Sequence, residues 1–161
     1  MLTFSYDEFK DATHYTVVSQ AIPVALQKIF SSYQPITTKE FEEVLLVTPE
    51  PVKYLEDKYY DIAKYYGLSI EYRINDLMYV FSVIEETSNW GQLLPLAKLA
   101  KKAHPDSMMD SYFQARYYQE TGEPKKALKH YQDAYGFDEV GALTKELMLI
   151  RADEIKEVFG Y

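Results

Sequence analysis

The chain has 161 residues, no cysteine and a formal net charge of −8 at pH 7. A hydrophobic content of 47% predicts a folded chain of one-domain size, or a small domain with an appendage, and excludes a disordered one. The lack of cysteine excludes disulfides and thiolate metal sites, and the acidic balance argues against binding to nucleic-acid backbones or anionic membrane surfaces.

The N-terminal stretch contains one strand-like and one helix-like pattern. Residues 2–6, "LTFSY", alternate between apolar and polar side chains, which predicts a short strand. Residues 16–31 carry apolar side chains at helical spacing, and Pro23 means that this helix either begins near Ile22 or is kinked. The apolar positions of that helix are Val17, Ala21, Val24, Ala25 and Ile29.

The sequence after this first helix predicts only further helices. Thr37 and Glu40 have the spacing of a capping box, which marks a helix start. Thr48 is a suitable N-cap for the next helix, with Pro49 in its first turn and Gly67 at its end. Further helices of roughly 12–16 residues alternate with tight turns down to the C-terminus. The predicted fold class is therefore all-α, made of antiparallel helical hairpins.

Two segments of the helical region resemble each other at a constant offset of 34 residues, the period of tetratricopeptide repeats. "GEPKKALKHYQDAY" resembles the turn and second helix of that repeat family, with Gly122 making the turn, and Pro105 stands where a proline ends the preceding repeat. The residues matched across the offset are Leu93, Ala97 and Ala100 with Ala127, Tyr131 and Ala134.

The offset divides the helical domain, expected over 34–161, into two repeats at about 74–107 and 108–141. A closing helix follows over 142–159, with inward-facing side chains expected at Leu143, Leu147, Ile150 and Ile155. Because about three repeats are needed for a stable free array, the helices before residue 74 must complete the core. The alternative is a generic antiparallel bundle in which the offset is a coincidence.

A histidine stands in the loop "DEFKDATH", between the predicted strand and the first helix. This layout resembles the end of the hydrolase domain in the esterase family that includes the enterochelin-esterase-like and esterase D-like enzymes, some of which carry a tetratricopeptide-like C-terminal extension. The matching positions are Asp11, His14, Pro23, Ile29 and Phe30. The resemblance implies that residues 1–33 are the last strand, histidine loop and last helix of an α/β-hydrolase.

The same resemblance implies a role for His14. It would be the general base of a serine triad, with the nucleophile and the acid upstream of Met1, and Asp11 would be a loop acid outside the triad. The chain has no Gly-x-Ser-x-Gly segment, so we expect no catalysis from it alone. His104 is expected to end a helix and His130 to face solvent, and we expect no cofactor and no metal site.

Several alternatives concern function and partners. The expected partners are the hydrolase domain of the same parent protein or another protein, and a homodimer through the N-terminal segment. The competing hypothesis is an independent tetratricopeptide-type adaptor that binds a protein; a third is a small enzyme that uses His14 or an acidic cluster. No apolar run reaches the roughly 18 residues of a membrane span, and the compartment stays open between bacterial cytoplasm and periplasm.

Overall fold

The computed structural model describes residues 4–160. Within this range the chain forms helices and loops with no strand, which confirms the all-α prediction. The short helix Thr38–Glu40 continues into a π-helical turn at Phe41–Leu45. The helices are α1 (Val17–Ile29), α2 (Thr38–Glu40), α3 (Pro51–Tyr66), α4 (Ile74–Thr87), α5 (Leu93–Ala103), α6 (Met109–Glu120), α7 (Pro124–Ala134) and α8 (Lys145–Phe159).

The strand predicted over residues 2–6 does not form in the part that is described. Residues 4–6 have no regular structure, and Leu2 and Thr3 lie outside the described residues. The side chains of Phe4 and Tyr6 are 85% and 73% exposed. A strand needs a neighbour to pair its backbone groups, and residues 4–160 provide no strand to pair with.

The chain divides into two compact units, with the boundary between Gln34 and Pro35. In the second unit α3 packs on α4, and each later helix packs on the one before it. A continuous core runs through all of these helices. Its largest fully buried side chains include Leu55, Leu77, Ile84, Phe113 and Tyr131.

The second unit contains two helical hairpins, α4–α5 and α6–α7. Gly122 turns the second hairpin with a φ of +78°, a conformation that glycine adopts without a steric penalty. Leu93 and Ala127, the residues matched across the 34-residue offset, are both fully buried at or near the start of α5 and α7. The loops after these helices meet, because the Met108 amide donates to the Asp138 carbonyl at 3.0 Å.

Two of the three helix ends predicted from the sequence are confirmed. The Thr37 hydroxyl accepts a hydrogen bond from the Glu40 amide at 3.2 Å, and Gly67 ends α3 with a φ of +66°. The start of α3 was wrong, since the helix begins at Pro51 rather than after Thr48. A residue before a proline is kept out of the helical region, so Glu50 stays non-helical and Pro51 takes the first helical position.

The closing helix is α8, and the predicted inward face is correct except at Ile150, with Leu147 half-buried against the core. Leu143 is buried ahead of the helix and Ile155 is buried within it, as expected, whereas Ile150 is 49% exposed. The buried stripe of α8 also includes Met148 and Ala152. Ala152 lies four residues after Met148 and three before Ile155, and these spacings keep the three side chains on one face of the helix. Ile150 lies two residues after Met148, which turns its side chain away from that stripe.

Candidate functional site

His14 lies in an exposed turn ahead of α1. The turn is braced by threonines, since the Thr13 amide donates to the Thr16 hydroxyl at 2.8 Å and the Thr16 amide donates back to the Thr13 hydroxyl at 3.3 Å. The His14 ring meets the edge of the Tyr15 ring at a centroid distance of 5.6 Å. This arrangement presents the imidazole to solvent at a fixed place.

The triad groups that would act with His14 are not assembled around it. Among residues 4–160, no carboxylate or hydroxyl is hydrogen-bonded to the His14 ring, and Asp11 is exposed in the same loop. The nearby serines bond to backbone, because the Ser19 hydroxyl donates to the Thr16 carbonyl at 2.7 Å and the Ser31 hydroxyl to the Lys28 carbonyl at 2.9 Å. A general base needs a nucleophile within hydrogen-bond reach, and within residues 4–160 His14 has none.

Helix α1 presents an apolar face to solvent. We call this face the α1 stripe; its residues are Val18, Ile22, Leu26 and Ile29, spaced by four, four and three. Each of these side chains is about half exposed, and no residue of α1 is buried. This spacing places the four side chains on one side of the helix.

The other apolar side of α1 is less exposed than the α1 stripe. Val17, Ala21 and Val24 are half-buried. The Lys28 ammonium hydrogen-bonds the Ser5 hydroxyl at 2.9 Å and pairs with the Asp7 carboxylate. The N-terminal segment is therefore tied to one side of α1, whereas each side chain of the α1 stripe remains about half exposed.

A buried carboxylate organises the start of the second unit. Asp76 is fully buried in the first turn of α4, where it accepts hydrogen bonds from the Ile36 amide at 2.9 Å and from the Tyr59 hydroxyl at 2.8 Å. Its carboxylate also lies 3.7 Å from the Arg73 guanidinium. The Tyr59 hydroxyl in turn accepts from the Arg73 amide at 2.8 Å. These bonds join the segment before α2, helix α3 and the start of α4.

Tyr59 is held in its neutral form at this cluster. Burial raises the pKa of Tyr59 above its ordinary value, and the hydrogen bond it donates to the Asp76 carboxylate acts in the same direction. A neighbouring tyrosine behaves alike: burial and a 2.8 Å hydrogen bond to Glu40 raise the pKa of Tyr54 to about 12. Both hydroxyls therefore serve as permanent donors at neutral pH.

Next to this cluster lies an open cleft of about 380 Å³ between the second half of α3, the segment Ser69–Tyr72 and the end of α5. We call it the tyrosine cleft. Its wall includes Tyr59 and Tyr72, whose ring centroids are 4.7 Å apart. The His104 imidazole fixes the segment from the α5 side, since its Nε2 lies 2.7 Å from the Tyr72 carbonyl. The cleft residues are Glu56, Tyr59, Tyr60, Ala63, Ser69, Ile70, Glu71, Tyr72, Lys102 and Ala103.

A second buried polar cluster joins α4, α6 and α7. Arg116 of α6 is largely buried and binds Glu85 of α4 through Nη2 and Oε1 at 2.7 Å. A second bond joins it to Glu120, one turn later in its own helix, at 2.9 Å. The Tyr131 hydroxyl of α7 donates to the Gln119 amide oxygen at 2.6 Å. These paired groups fix the packing of consecutive helices and offer no free functional group.

The sequence analysis did not predict the Asp76 and Arg116 clusters, although the sequence contains a pattern that indicates them. Asp76 adjoins Leu77 and lies four residues before Val80, on the buried face of α4. Arg116 lies three and four residues after Phe113 and Tyr112, on the buried face of α6. A charged residue on an apolar helical stripe is rarely buried unless it is paired, so it predicts a buried polar contact.

The remaining histidines have structural surroundings. His104 caps α5 as expected, and its bond to the Tyr72 carbonyl adds a link to the tyrosine cleft. His130 was expected to face solvent but is half-buried and stacks on the Tyr118 ring at 5.3 Å, because Tyr118 of α6 covers that side of α7. Burial lowers the pKa of His130. In residues 4–160 no group of three His, Cys, Asp or Glu side chains is arranged to hold a metal ion.

Comparison with known proteins gives one structural likeness and no family. No family model and no curated protein matches the chain. A crystal structure of an uncharacterised protein from Capnocytophaga ochracea DSM 7271 is similar, with a TM-score of 0.82 and 30% sequence identity. The likeness covers 96% of this chain and 44% of that protein, so the chain spans less than half of its length. Among the described helices, none is both long and apolar enough to cross a membrane.

Proposed function

We propose that this chain is the C-terminal helical part of a serine-esterase-like protein and has no catalytic activity alone. In this proposal residues 1–33 complete the hydrolase domain of the parent, and the helices after them form tetratricopeptide-like hairpins. The helical part would pack on the hydrolase domain, regulate access to its site or bind another protein.

The observation that carries the proposal is the exposed α1 stripe. Four aliphatic side chains on one side of a helix expose about half of their surface each. Burying such side chains stabilises a protein by about 1.5–3 kcal/mol each, so a helix with this face ordinarily packs against something. The last helix of an α/β-hydrolase packs its apolar face on the central sheet, which fits the resemblance of this segment to that family.

The length of the similar crystal structure also fits. More than half of that protein lies outside the matched region, which leaves room for a further domain in a protein of related architecture. In the parent, His14 would act as the general base, taking the proton of a serine hydroxyl and returning it to the leaving alcohol. Its exposed, turn-braced position leaves the imidazole accessible to groups supplied by the rest of the parent.

The helical part supports the tetratricopeptide component of the proposal. The two hairpins run in sequence and pack side by side, and Leu93 and Ala127 are both fully buried. Helix α8 then packs on α7 as a closing helix. An array of this kind serves equally as a scaffold or as a binding surface.

The first experiment reads the DNA upstream of the Met1 codon. We expect an in-frame segment that encodes Gly-x-Ser-x-Gly, followed by an Asp or Glu at the acid position. A ribosome-binding site and a stop codon immediately before Met1 would contradict the proposal and favour the adaptor. The chain alone is then assayed with p-nitrophenyl acetate; turnover that is lost in His14→Ala would contradict the absence of catalysis.

The second experiment tests the α1 stripe directly. The upstream part is produced as a separate protein, and its binding to this chain is measured by calorimetry. Ile22→Asp places a charge in the stripe and is expected to weaken binding by about tenfold or more. Gln27→Asp adds the same charge on the polar side of α1 and should change binding by less than about twofold. Equal effects of the two changes would exclude the stripe as the contact.

A second candidate function rests on a different observation. Residues 35–160 have a continuous core of their own, as an independent tetratricopeptide-type adaptor requires. Such an adaptor would bind a protein through its helical surface and would make no use of His14. The DNA upstream of Met1 separates the two candidates.

A further inference from the structure

The tyrosine cleft is bordered by a short segment without regular structure, Ser69–Tyr72, between α3 and α4. Its ends are fixed: the Leu68 amide just before it donates to the Ala63 carbonyl at 3.2 Å, and the Tyr72 carbonyl lies 2.7 Å from the His104 ring. Between these points, the backbone groups of Ser69, Ile70 and Glu71 form no hydrogen bond with any described residue. A backbone that is held at both ends and has unused donors and acceptors can pair with an added strand.

The charged side chains beside this segment determine which ligand side chains can bind there. Glu71 belongs to the segment and Glu56 projects from α3, so two carboxylates border the cleft. The Glu56 charge is close enough to contribute, after burial, to the raised pKa of Tyr72. Tyrosine rings also line this cleft, and the face of an aromatic ring attracts a cation.

Lys102 stands at the α5 end of the cleft and has the opposite charge. A cationic side chain would therefore favour the side of Glu56 and Glu71 and avoid the end that Lys102 occupies. Anionic ligands such as nucleic acid meet two carboxylates here and a net charge of −8 on the whole chain. The charge pattern favours a basic peptide over both an acidic peptide and a nucleic acid.

We propose that the tyrosine cleft binds an extended peptide segment that carries Lys or Arg side chains. The peptide adds a strand along Ser69–Tyr72, and one basic side chain lies between the Glu56 and Glu71 carboxylates against the tyrosine rings. The volume of about 380 Å³ is within the range of sites that take small ligands or a few side chains. This binding does not depend on the proposed esterase ancestry.

The test is a titration of the isotope-labelled chain followed by NMR. The probe is acetyl-Val-Lys-Val-Lys-Val-amide, and its partner for comparison has Glu in place of each Lys. We expect saturable shifts of the Ser69–Tyr72 amide signals with the Lys peptide, at a dissociation constant below about 1 mM, and none with the Glu peptide. No saturable shift with the Lys peptide, or equal affinity for both, would overturn the proposal.

Matched charge changes locate the site. Glu71→Lys is expected to weaken binding of the Lys peptide by about fivefold or more, and Lys102→Glu to strengthen it by a similar factor. Glu157→Lys makes the same charge change as Glu71→Lys on α8, outside the cleft, and should leave the affinity within about twofold. A loss in Glu157→Lys as large as in Glu71→Lys would show attraction to net charge alone and overturn the assignment of the site.

A ligand-side change tests strand addition without altering the fold. A Lys peptide that is N-methylated at alternate residues keeps its charge but lacks donors along one edge. Methylation of the pairing edge is expected to weaken binding by about tenfold, while methylation of the opposite edge has little effect. Equal affinity of both methylated peptides and the parent peptide would contradict backbone pairing.

Discussion

The two units of this chain contrast in how they bury apolar surface. Residues 35–160 enclose a core in which Leu77, Phe113 and Tyr131 are fully buried. Residues 4–34 include an aliphatic helix of similar length to α4, yet none of their side chains is buried. Helix formation by itself contributes little stability, because tertiary packing provides most of it. The contrast therefore separates a self-sufficient region from one whose apolar face is suited to a partner.

The largest effect is expected at the buried carboxylate of the second unit. Asp76→Ala removes the acceptor of the Ile36 amide and the Tyr59 hydroxyl and the partner of Arg73, and should destabilise the chain by about 3–5 kcal/mol. Urea unfolding followed by circular dichroism measures it. Asp76→Asn keeps the shape and one acceptor, so we expect a smaller loss. An Asp76→Ala chain as stable as the original would contradict the role of this cluster.

The next effect concerns the aromatic core. Phe113 stacks on Phe81 at a centroid distance of 5.0 Å and is fully buried. Phe113→Ala leaves a cavity and should cost about 3–4 kcal/mol of unfolding free energy, measured in the same urea experiment. A loss below about 1 kcal/mol would mean that the second unit lacks a tightly packed core, and the contrast between the units would fail.

Alkaline pH should destabilise the second unit. Tyr54, whose folded pKa is about 12, and Tyr59 and Tyr131, whose pKa values burial also raises, stay neutral in the folded state above the pH at which an unfolded tyrosine ionises. Their contribution is complete below about pH 10 and falls as the pH rises through the folded pKa values.

Thermal unfolding between pH 9 and pH 12 measures this loss. Tyr54→Phe should make the decline shallower, because it removes one of the ionising groups. Tyr15→Phe is the matched control, since Tyr15 is 91% exposed and its replacement should leave the profile unchanged. A profile that is flat up to pH 12 would contradict burial of these hydroxyls.

The smallest effect is expected in the α1 stripe. Leu26→Ala removes an aliphatic side chain that is 48% exposed, so the main unfolding transition should shift by less than about 0.5 kcal/mol. The same type of change at Leu77, which is fully buried in α4, should cost about 2–5 kcal/mol. Equal losses at Leu26 and Leu77 would show that the first unit shares in the core.

The sequence predicted local structure well where the causes are local. A threonine cap at Thr37, a left-handed glycine at Gly67 and a turn glycine at Gly122 act within a few residues, and each was placed correctly. The start of α3 failed because two prolines lie close together and only Pro51 occupies the first helical position. The strand over 2–6 failed in its described part because alternation cannot supply a pairing partner.

The candidate sites were harder to predict because they depend on distant contacts. The link from Asp76 to the Ile36 amide spans 40 positions, and that from His104 to the Tyr72 carbonyl spans 32. No local pattern contains such pairs, and Ile150 was misplaced because neighbouring helices decide which apolar side of α8 is covered. His14 was located by a resemblance, and its role stays a prediction.

Amide hydrogen exchange of the isolated chain, read residue by residue by NMR, tests the contrast between the units most directly. Exchange from α6 and α7 should require global unfolding, whereas α1 should exchange through local opening at a much lower free energy. Protection of α1 equal to that of α6 would contradict the account, because it would mean that the first unit is stabilised without any partner.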